Sequence, residues 1–490
     1  MKAVTTFALL ALIPAAVSAA PAADSDTLYQ EKYRPQYHYT PRHGWIGDPS
    51  GLIRYDGKYR AYSWGAVESD DLVHWNEINR HSIMEMPENI SSFTGSVVVD
   101  KDNTAGWGEN AVVAAFTSYD KGSKKQSQSV AFSHDGGKTF RYYDQNPVLD
   151  IWSTEFRDPT VIRYEPTGKW VMAVAKALNK KVAFYESDDL KHWTWTSDFG
   201  PMGDNEKSWE CPDLFQVTVE ETGEKKWVLL VSVNWAREQY FVGDFDGKKF
   251  IPDAPDAEPL YVDHGLDYYA SRSFQQYDEP KDDNVYTLGW VNTWDYAPTA
   301  PTSWGKGIWS IPRNFTLYKT DGGLRLRQRP IKALESLRGK PVRINRSLKP
   351  GVYPLPAVAA MDNMYELDLD IKGKGNDVCG LNLCMGDGRK VAVSYDVASG
   401  YLTIDRTNST DANIPKFERM CTAEVPAIDG KLNLRIFVDK STVEIFAQDG
   451  RRVFTLLTFA APDQTGIELF SQRGTTDVRL TAWPLKSIWK

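Results

Sequence analysis

The chain contains little cysteine and histidine: four cysteines and seven histidines occur among its 490 residues. So few cysteines cannot form the dense disulfide framework of a small secreted protein. No Cys-x-x-Cys pair occurs and the histidines do not cluster with the cysteines, which argues against a zinc site. Cys211 adjoins an acidic motif and is predicted to be a buried free thiol. One disulfide stays open among the remaining three, Cys379, Cys384 and Cys421.

The sequence also lacks an excess of positive charge and a long apolar segment. Its net charge is -8, which disfavours nucleic acid or an anionic membrane as a partner. The N-terminal apolar run, from about Val4 to Ile13, is too short to cross a bilayer. With Val17-Ser18-Ala19 behind it, this run predicts a signal peptide over residues 1–20 and therefore a secreted, extracellular protein. Four Asn-x-Ser/Thr tripeptides are compatible with glycosylation of such a protein, at Asn89, Asn314, Asn345 and Asn408.

Aromatic residues are abundant, at 12% of the chain, and they include 17 tryptophans. Trp and Tyr offer flat apolar faces with a polar group, which suit sugar rings, although all-β cores also contain many aromatics. Hydrophobic residues make up 42% and charged residues 25%, as in ordinary globular proteins. The length favours two or more domains.

A turn motif recurs along the chain at intervals of about 60 residues. Glu68–Trp75 and Glu186–Trp193 match at seven of eight positions and lie 118 residues apart. Weaker copies occupy Ser133–Phe140 and Gly243–Phe250. Short alternating strands joined by Asp/Gly turns at this period are typical of β-propeller blades. The sequence therefore predicts an all-β propeller over residues 33–325.

The repeat fades after about residue 320, and the rest of the chain has a different pattern. Residues 326–340 are predicted to form a linker that contains a short helix. Beyond it, apolar and polar residues alternate plainly, as in Leu432–Val438 and Ser441–Phe446. This alternation predicts an antiparallel β-sandwich over residues 341–490.

Three carboxylates lie in short motifs with aromatic neighbours: Asp48 in Trp-Ile-Gly-Asp-Pro, Asp158 in Phe-Arg-Asp-Pro, and Glu210 in Trp-Glu-Cys-Pro. They lie 110 and 52 residues apart, which is about two repeats and about one. Because the inner strands of all blades converge on the central channel, this spacing predicts that the three acids meet there. Cleavage of a glycosidic bond needs two carboxyl groups in different roles, and a third can orient the sugar.

These motifs resemble those of glycoside hydrolase family 32, the invertases, inulinases and levanases, over nearly the whole chain from about Tyr33. The matching segments are His38–Gly51, Phe93–Ser96, Arg157–Pro159, Glu210–Pro212, Gly289–Trp294, Ser310–Arg313 and Val438–Phe446. The chain looks most similar to fungal secreted exo-acting fructan hydrolases. The resemblance implies a five-bladed β-propeller followed by a β-sandwich, and neither a metal nor an organic cofactor.

The resemblance also implies an activity: retaining hydrolysis of terminal β-fructofuranosyl bonds in fructans or sucrose-type fructosides. Asp48 would be the nucleophile and Glu210 the acid and then the base, while Asp158 with Arg157 would hold the fructose hydroxyls. The substrate pocket would be lined by Trp45, Trp64, Phe93, Thr94 and Trp294. Retention predicts a separation of about 5–5.5 Å between the Asp48 and Glu210 carboxyls, with Glu210 protonated and Asp48 ionised.

The chain departs from the family pattern near the nucleophile. Gly47 and Ser50 stand where the family has asparagines, and Tyr59–Trp64 runs on without the family's Gln-containing segment. A mispredicted intron is an alternative origin of that gap. The lost polar groups predict weak sucrose hydrolysis and a wider pocket beside Trp64. Two other functions stay open: a fructosyltransferase that uses the same acids, and a carbohydrate-binding or sensing derivative of the enzyme.

Overall fold

The computed structural model of the protein describes residues 28–254 and 258–489. The predicted signal peptide, residues 1–20, lies outside the described residues. Almost all regular structure in the described ranges is β-strand, as predicted. The short helical segments are Ala177–Asn179, Ala297–Thr299 and Lys332–Leu337, which are 3-10 helices, and the α-helical turn Pro356–Ala359. No helix among the described residues has the length and apolar character needed to span a membrane.

Residues 51–330 form five antiparallel sheets in the described part of the chain, numbered sheet 1 to sheet 5 in chain order. Their successive strands are Gly51–Tyr55, Lys58–Tyr62, Ala66–Ser69 and Trp75–Asn79 in sheet 1; Ile90–Asp100, Ala111–Asp120, Gln126–Ser133 and Phe140–Tyr142 in sheet 2; Phe156–Tyr164, Lys169–Lys176, Lys181–Ser187 and Thr194–Phe199 in sheet 3; Trp209–Thr218, Lys225–Val233, Arg237–Phe245 and Phe250–Pro252 in sheet 4; and Tyr269–Ser273, Val285–Trp290, Arg313–Thr320 and Gly323–Pro330 in sheet 5. Shorter strands pair with these sheets or with each other: Gly44–Trp45, Ile83–Met84, Leu149–Ser153, Leu260–Tyr261, Gln275–Gln276 and Gly305–Lys306.

The first strands of the five sheets contact one another in a closed ring, each touching the first strands of the preceding and following sheets. Gln275–Gln276, which follows the first strand of sheet 5, pairs in parallel with Gly51–Tyr55 of sheet 1 and joins the two ends of the ring. We infer that each sheet is one blade and that the first strands line the central channel.

The repeated octet of the sequence is the turn between the third and fourth strands of a sheet. Its copies serve sheets 1, 2, 3 and 4. In every copy one aspartate side chain accepts hydrogen bonds from backbone N–H groups two to four residues further on. These aspartates are Asp71, Asp135, Asp189 and Asp246. The sequence repeat therefore reflects one capped turn that joins the last two strands in each of sheets 1 to 4.

The last strand of sheet 5 continues to Pro330, so the segment 326–340 does not begin as a linker. Leu324 and Leu326 alternate with arginines, and this strand pairs in register with Arg313–Thr320. The expected short helix is present as the 3-10 segment Lys332–Leu337. The linker prediction was wrong for residues 326–330. Their composition is compatible with a helix, but their side chains alternate with a period of two, and pairing with the neighbouring strand stabilises the extended conformation.

The remaining chain forms two six-stranded antiparallel sheets. In spatial order, their strands are Val342–Leu348, Thr476–Pro484, Met364–Lys372, Leu432–Asp439, Thr442–Ala447 and Arg452–Leu457 in sheet 6, and Gly351–Pro354, Gly466–Ser471, Val378–Gly386, Arg389–Asp396, Tyr401–Asp405 and Met420–Glu424 in sheet 7. Apolar side chains of both sheets form one buried core, as expected for a sandwich. Cys379 and Cys384 lie in it and Cys421 packs against it, and the structure has these three and Cys211 as free thiols.

Buried ion pairs join the sandwich to the propeller. His38 contacts Asp439 at 2.9 Å through Nδ1 and Glu444 at 3.0 Å through Nε2. Arg313 donates to the other oxygen of Glu444 at 2.6 Å and to Asp263 at 3.0 Å. Burial alone would lower the pKa of His38, but the hydrogen bonds to its two carboxylates outweigh it and raise the pKa to about 9. His38 therefore carries a proton at neutral pH.

Candidate active site

Asp158 and Glu210 both stand at a break in the strand register, at the start of the first strand of a sheet. The pairing shifts between Arg157 and Thr160 in sheet 3 and between Glu210 and Asp213 in sheet 4. Each break contains a proline, which has no N–H to give to the ladder. A bulge of this kind turns a side chain that would otherwise alternate across the sheet, and here it directs each acid toward the channel.

Asp48 lies just before the first strand of sheet 1, and its two oxygens have different surroundings. Thr94 Oγ1 donates a hydrogen bond of 2.8 Å to Asp48 Oδ2. Asp48 Oδ1 is buried and has no hydrogen-bond partner among the described residues, so its lone pairs are uncommitted. Thr94 itself lies at a register break in the first strand of sheet 2, between Ser92 and Gly95. The structure thus places Thr94 in direct contact with Asp48.

Cys211 joins Asp48 to Asp158. Its sulfur lies 3.6 Å from Oδ2 of each aspartate, and its backbone N–H donates to Asp158 Oδ2 at 3.1 Å. Asp158 and Cys211 have φ angles of 65° and 48°, a left-handed conformation that is uncommon outside glycine. These backbone conformations bring the two adjacent sheets into contact at the acids. As predicted, Cys211 is a buried free thiol.

Glu210 is held at both carboxyl oxygens. Arg157 donates to Oε1 from Nε at 3.1 Å and from Nη2 at 2.8 Å, and the Tyr269 hydroxyl donates to Oε2. Arg157 is itself fixed by Glu155 at 2.6 Å and by Gln126 at 3.1 Å. Its distance to Asp158 is longer, 3.9 Å. The guanidinium that the sequence resemblance assigned to the sugar hydroxyls therefore orients Glu210 in this structure.

The three acids are close enough to influence one another's protonation. Burial raises the pKa of Asp48 to about 6; the charge of Glu210 adds to this, while the Thr94 hydrogen bond and the charge of Arg272 oppose it. Burial also raises the pKa of Asp158, against the charge of Arg157. The sequence predicted an ionised Asp48, and a pKa of about 6 makes it ionised above that pH.

Arg272 is a buried cation beneath the acids that sequence reasoning did not find. Its Nη1 donates to the Thr160 hydroxyl and to the carbonyl of Pro212, which lie in the two register breaks. Its Nε and Nη2 are buried and have no hydrogen-bond partner among the described residues. The guanidinium thus ties sheet 5 to sheets 3 and 4 and supplies positive charge below Asp48.

Tryptophan rings form a wall beside the acids. Trp45 and Trp294 are 45% and 44% exposed, and their rings stack with centroids 6.0 Å apart. The buried Trp290 packs against both, at 6.0 and 5.0 Å, and lies 6.5 Å from the ring of Tyr269. Since Tyr269 contacts Glu210, the wall stands on the Glu210 side of sheet 5. Flat exposed rings of this kind suit the apolar faces of a sugar.

The second hairpin of sheet 1 is as short as the sequence indicates. Residues 63–65 connect the second and third strands of sheet 1 directly, and no further segment follows Tyr62. Trp64 donates to the carbonyl of Phe93 at 2.6 Å and packs edge-on against Phe116 at 5.5 Å. Phe93 stacks on Tyr119 at 4.7 Å. The two predicted lining residues Trp64 and Phe93 therefore contact each other at the junction of sheets 1 and 2.

The space beside Gly47 is already used. A Cβ at this position would lie 3.0 Å from Trp45 Nε1, which is a tight contact. The Gly47 carbonyl accepts a hydrogen bond of 2.9 Å from Trp309 Nε1, and its N–H points to Ser63 Oγ at 3.4 Å. Ser50, the other departure from the family pattern, is buried and its hydroxyl lies 3.4 Å from the Asp48 carbonyl. The Trp45 indole therefore fills the volume next to the missing side chain.

One residue that sequence reasoning missed could have been found from the repeat. Tyr269 follows Glu210 by 59 residues, about one repeat, as Glu210 follows Asp158 by 52. No comparable pattern marks Gln126 and Glu155, because both act through Arg157. Gln126 lies in the third strand of sheet 2, and Glu155 lies in the connection to sheet 3. Among the residues that the structure describes, no group of three or more His, Cys, Asp and Glu side chains is arranged to hold a metal ion.

Comparisons with known proteins agree with this geometry. The model of the glycosyl hydrolases family 32 N-terminal domain matches residues 38–330, and that of the family 32 C terminal matches residues 333–484. The levanase of Bacillus subtilis (strain 168) is 37% identical, over 96% of this chain and 73% of the levanase. The extracellular exo-inulinase of Aspergillus awamori is 31% identical, over 94% of this chain and 96% of that protein.

Solved structures give the same result. The crystal structure of exo-inulinase from Aspergillus awamori matches with a TM-score of 0.87 at 30% identity, covering 94% of this chain and 100% of that one. This match confirms the predicted fold class, a β-propeller followed by a β-sandwich. The chain is a glycoside hydrolase and belongs to glycoside hydrolase family 32.

Proposed function

We propose that the enzyme hydrolyses terminal β-fructofuranosyl bonds of fructans or sucrose-type fructosides with retention of configuration. The observation that supports this is the convergence of Asp48, Asp158 and Glu210, linked through Cys211 and Arg157. The relatives named levanase and exo-inulinase favour a fructan as the substrate. The separation of about 5–5.5 Å between the Asp48 and Glu210 carboxyls stays a prediction of this proposal.

In the first step Asp48 attacks the anomeric carbon of the terminal fructose, and the bond from that carbon to the leaving oxygen breaks. Glu210 gives its proton to the leaving oxygen, so the remainder of the chain departs as a neutral alcohol. In the second step Glu210 takes a proton from water, the water oxygen bonds to the anomeric carbon, and the ester to Asp48 breaks. Fructose leaves, and both carboxyls return to their starting states.

The neighbouring groups fit these roles. Thr94 fixes one oxygen of Asp48 and leaves the other without a partner, which suits a nucleophile that must approach carbon. Arg157 and Tyr269 donate to both oxygens of Glu210, which is the arrangement of the ionised carboxyl that acts as the base in the second step. In the first step Oε2 carries the proton, so the Tyr269 hydroxyl does not donate to it there. Asp158 lies against Cys211 between the two, where it can accept hydrogen bonds from fructose hydroxyls. A protein that merely bound sugar would have no need to bury Asp48 and Asp158 beside Glu210, where burial raises the pKa values of the two aspartates.

Secretion of the enzyme from the cell is part of the proposal. The predicted signal peptide at residues 1–20 and the relative labelled extracellular support it. Three of the four glycosylation tripeptides have an exposed asparagine, at Asn89, Asn345 and Asn408, whereas Asn314 is half-buried. Recovery of the protein from culture medium with an N-terminus at residue 20 or 21 would support secretion, and retention of residues 1–20 inside the cell would contradict it.

The activity is tested by incubating the purified protein separately with sucrose, inulin and levan and identifying the products. We expect free fructose from at least one of them. Methanol in the reaction should trap methyl β-fructofuranoside, because retention passes through the ester at Asp48. The α anomer would show inversion and overturn the mechanism. Fructosyl oligomers that predominate over free fructose at high sucrose would identify a transferase instead.

Two variants separate the roles of the acids. Asp48→Ala should abolish turnover, while Asp102→Ala, at a side chain that is 74% exposed, is the matched control and should act like the wild type. Glu210→Ala should lose activity on natural fructosides but still release a good leaving group, which needs no proton. Near-normal activity of Asp48→Ala would refute the assignment of the nucleophile.

A further inference from the structure

Trp152 combines two features that oppose folding. Its side chain is 83% exposed, the highest exposure among the large apolar side chains of the described chain. Its backbone has φ 58°, in the left-handed region that bulky residues rarely adopt. Glycine would take this conformation without strain and would expose no apolar surface. Strained backbone at an exposed aromatic residue is typical of a binding role rather than of a structural one.

The position of Trp152 relates it directly to the acids. Ser153, the next residue, pairs with Gln126. The Gln126 side chain accepts a hydrogen bond from Arg157, and Arg157 donates to Glu210. Trp152 therefore lies on the connection that leads into the first strand of sheet 3, next to a residue that pairs with a partner of Arg157. Arg157, through which Trp152 is connected, contacts Oε1 of Glu210, whereas Tyr269 contacts Oε2.

The indole is held in one orientation. Asp150 accepts a hydrogen bond of 2.8 Å from the backbone N–H of Trp152 and one of 2.6 Å from Lys125 Nζ. The Lys125 ammonium in turn lies 4.1 Å from the centre of the Trp152 ring. One face of the ring is thus covered by the lysine, and the other is left open. A prepared flat surface of this kind binds a ring with little loss of conformational entropy.

We propose that Trp152 is a stacking platform for a fructose unit of the leaving chain, one or more units beyond the cleaved bond. The inference rests on the proposed function, because it needs Glu210 to face the leaving oxygen. Trp152 and Glu210 are connected through Gln126 and Arg157, so the platform lies on the side where the leaving chain emerges. Sucrose, whose leaving group is a single glucose, is too short to reach a platform beyond that first unit. Trp152 is therefore a specificity-determining residue for chain length.

The test compares kcat/KM on levan and inulin with kcat/KM on sucrose in Trp152→Gly. Glycine suits the φ angle, so the variant should fold at least as well as the wild type. We expect the ratio of polymer to sucrose kcat/KM to fall by about 2- to 10-fold, mainly through a higher KM, as loss of one stacking contact predicts. Trp195→Ala removes another exposed tryptophan, 56% exposed on the outer strand of sheet 3, and should leave the ratio unchanged.

An unchanged ratio in Trp152→Gly, or an equal fall in Trp195→Ala, would overturn the inference. If the wild type cleaved no fructoside, the proposed function would be refuted without any result on Trp152. The role of Trp152 would then be tested by measuring binding to the polymer. Affinity electrophoresis of Asp48→Ala in gels that contain levan or inulin provides that measurement. Retardation that Trp152→Gly weakens in this background would support the platform. Equal retardation of both proteins, or none in either, would refute it.

Discussion

The hydrogen bond from Thr94 to Asp48 should set the acidic limit of activity. Thr94 Oγ1 donates to Asp48 Oδ2 at 2.8 Å and lowers a pKa that burial raises, so that it lies at about 6. Thr94→Val removes the hydroxyl and keeps the shape of the side chain. A hydrogen bond to a charged group contributes about 1.5–3 kcal/mol, and one pKa unit corresponds to about 1.4 kcal/mol. The pKa of Asp48 should therefore rise by about 1–2 units in the variant.

The assay is the pH profile of kcat/KM, whose acidic limb reports the pKa of the nucleophile in the free enzyme. In the wild type the limb should lie near pH 6, because Asp48 must be ionised to attack. In Thr94→Val it should move to about pH 7–8, and kcat/KM at pH 5 should fall by about 10- to 100-fold. Thr94→Ser keeps the hydroxyl and should keep the limb near that of the wild type.

An acidic limb that stays in place in Thr94→Val would refute this reasoning. It would mean that the limb reports another group, or that water replaces the lost hydroxyl. A shift of equal size in Thr94→Val and Thr94→Ser would assign the effect to packing rather than to the hydrogen bond. Protein folding is checked separately by the unfolding midpoint in urea at pH 4, where Asp48 is protonated in both folded variants and their midpoints should agree closely.

Three further outcomes follow from groups already described. Asp48→Asn should raise the free energy of unfolding at pH 8 by about 1–3 kcal/mol, because the folded variant holds no buried charge at this position. This gain should shrink as pH falls from 6 toward 4, and a loss of stability at pH 8 would contradict the prediction. The raised pKa of His38 should stabilise the wild type fully below pH 6.5, and about 3 kcal/mol should be lost as pH rises through about 9; urea unfolding of the wild type and of His38→Gln would then differ at pH 6 and converge at pH 10. Gly47→Asn should raise kcat/KM on sucrose by about 3- to 10-fold relative to Gly47→Ala, which makes the same 3.0 Å contact with Trp45 but has no amide; equal values for the two would show that the amide finds no partner.

Much of the candidate site could be predicted from the sequence repeat. Because Asp48, Asp158 and Glu210 share a phase, their convergence could be predicted without any contact being known, and Tyr269 falls on the same period. The phase places a residue on the inner strand of a sheet. It does not give the direction of the side chain, because a register break turns that direction locally.

Arg157 and Arg272 show where this limit matters. From the motif, Arg157 was expected to act with Asp158, but the bulge that turns Asp158 sends Arg157 to Glu210 on the next sheet. Arg272 contacts neither of the aspartates near it in sequence, Asp267 and Asp278, and its hydrogen bonds go to sheets 3 and 4. The role of Trp152 was equally hidden, since its left-handed backbone cannot be recognised from residue type. Each of these properties depends on contacts between sheets.

The linkage of His38 and Arg313 to Asp439 and Glu444 makes the sandwich a part of the catalytic framework. Asp439 also accepts hydrogen bonds from the backbone of residues 36–38, ten to twelve residues before the nucleophile. Without the sandwich, His38 would lose both carboxylates that keep it protonated, and Arg313 would lose Glu444 and keep Asp263. The propeller alone is therefore not a smaller version of this enzyme. Exchange of sandwich domains between relatives should succeed where these two carboxylates are retained and cost activity where they are not.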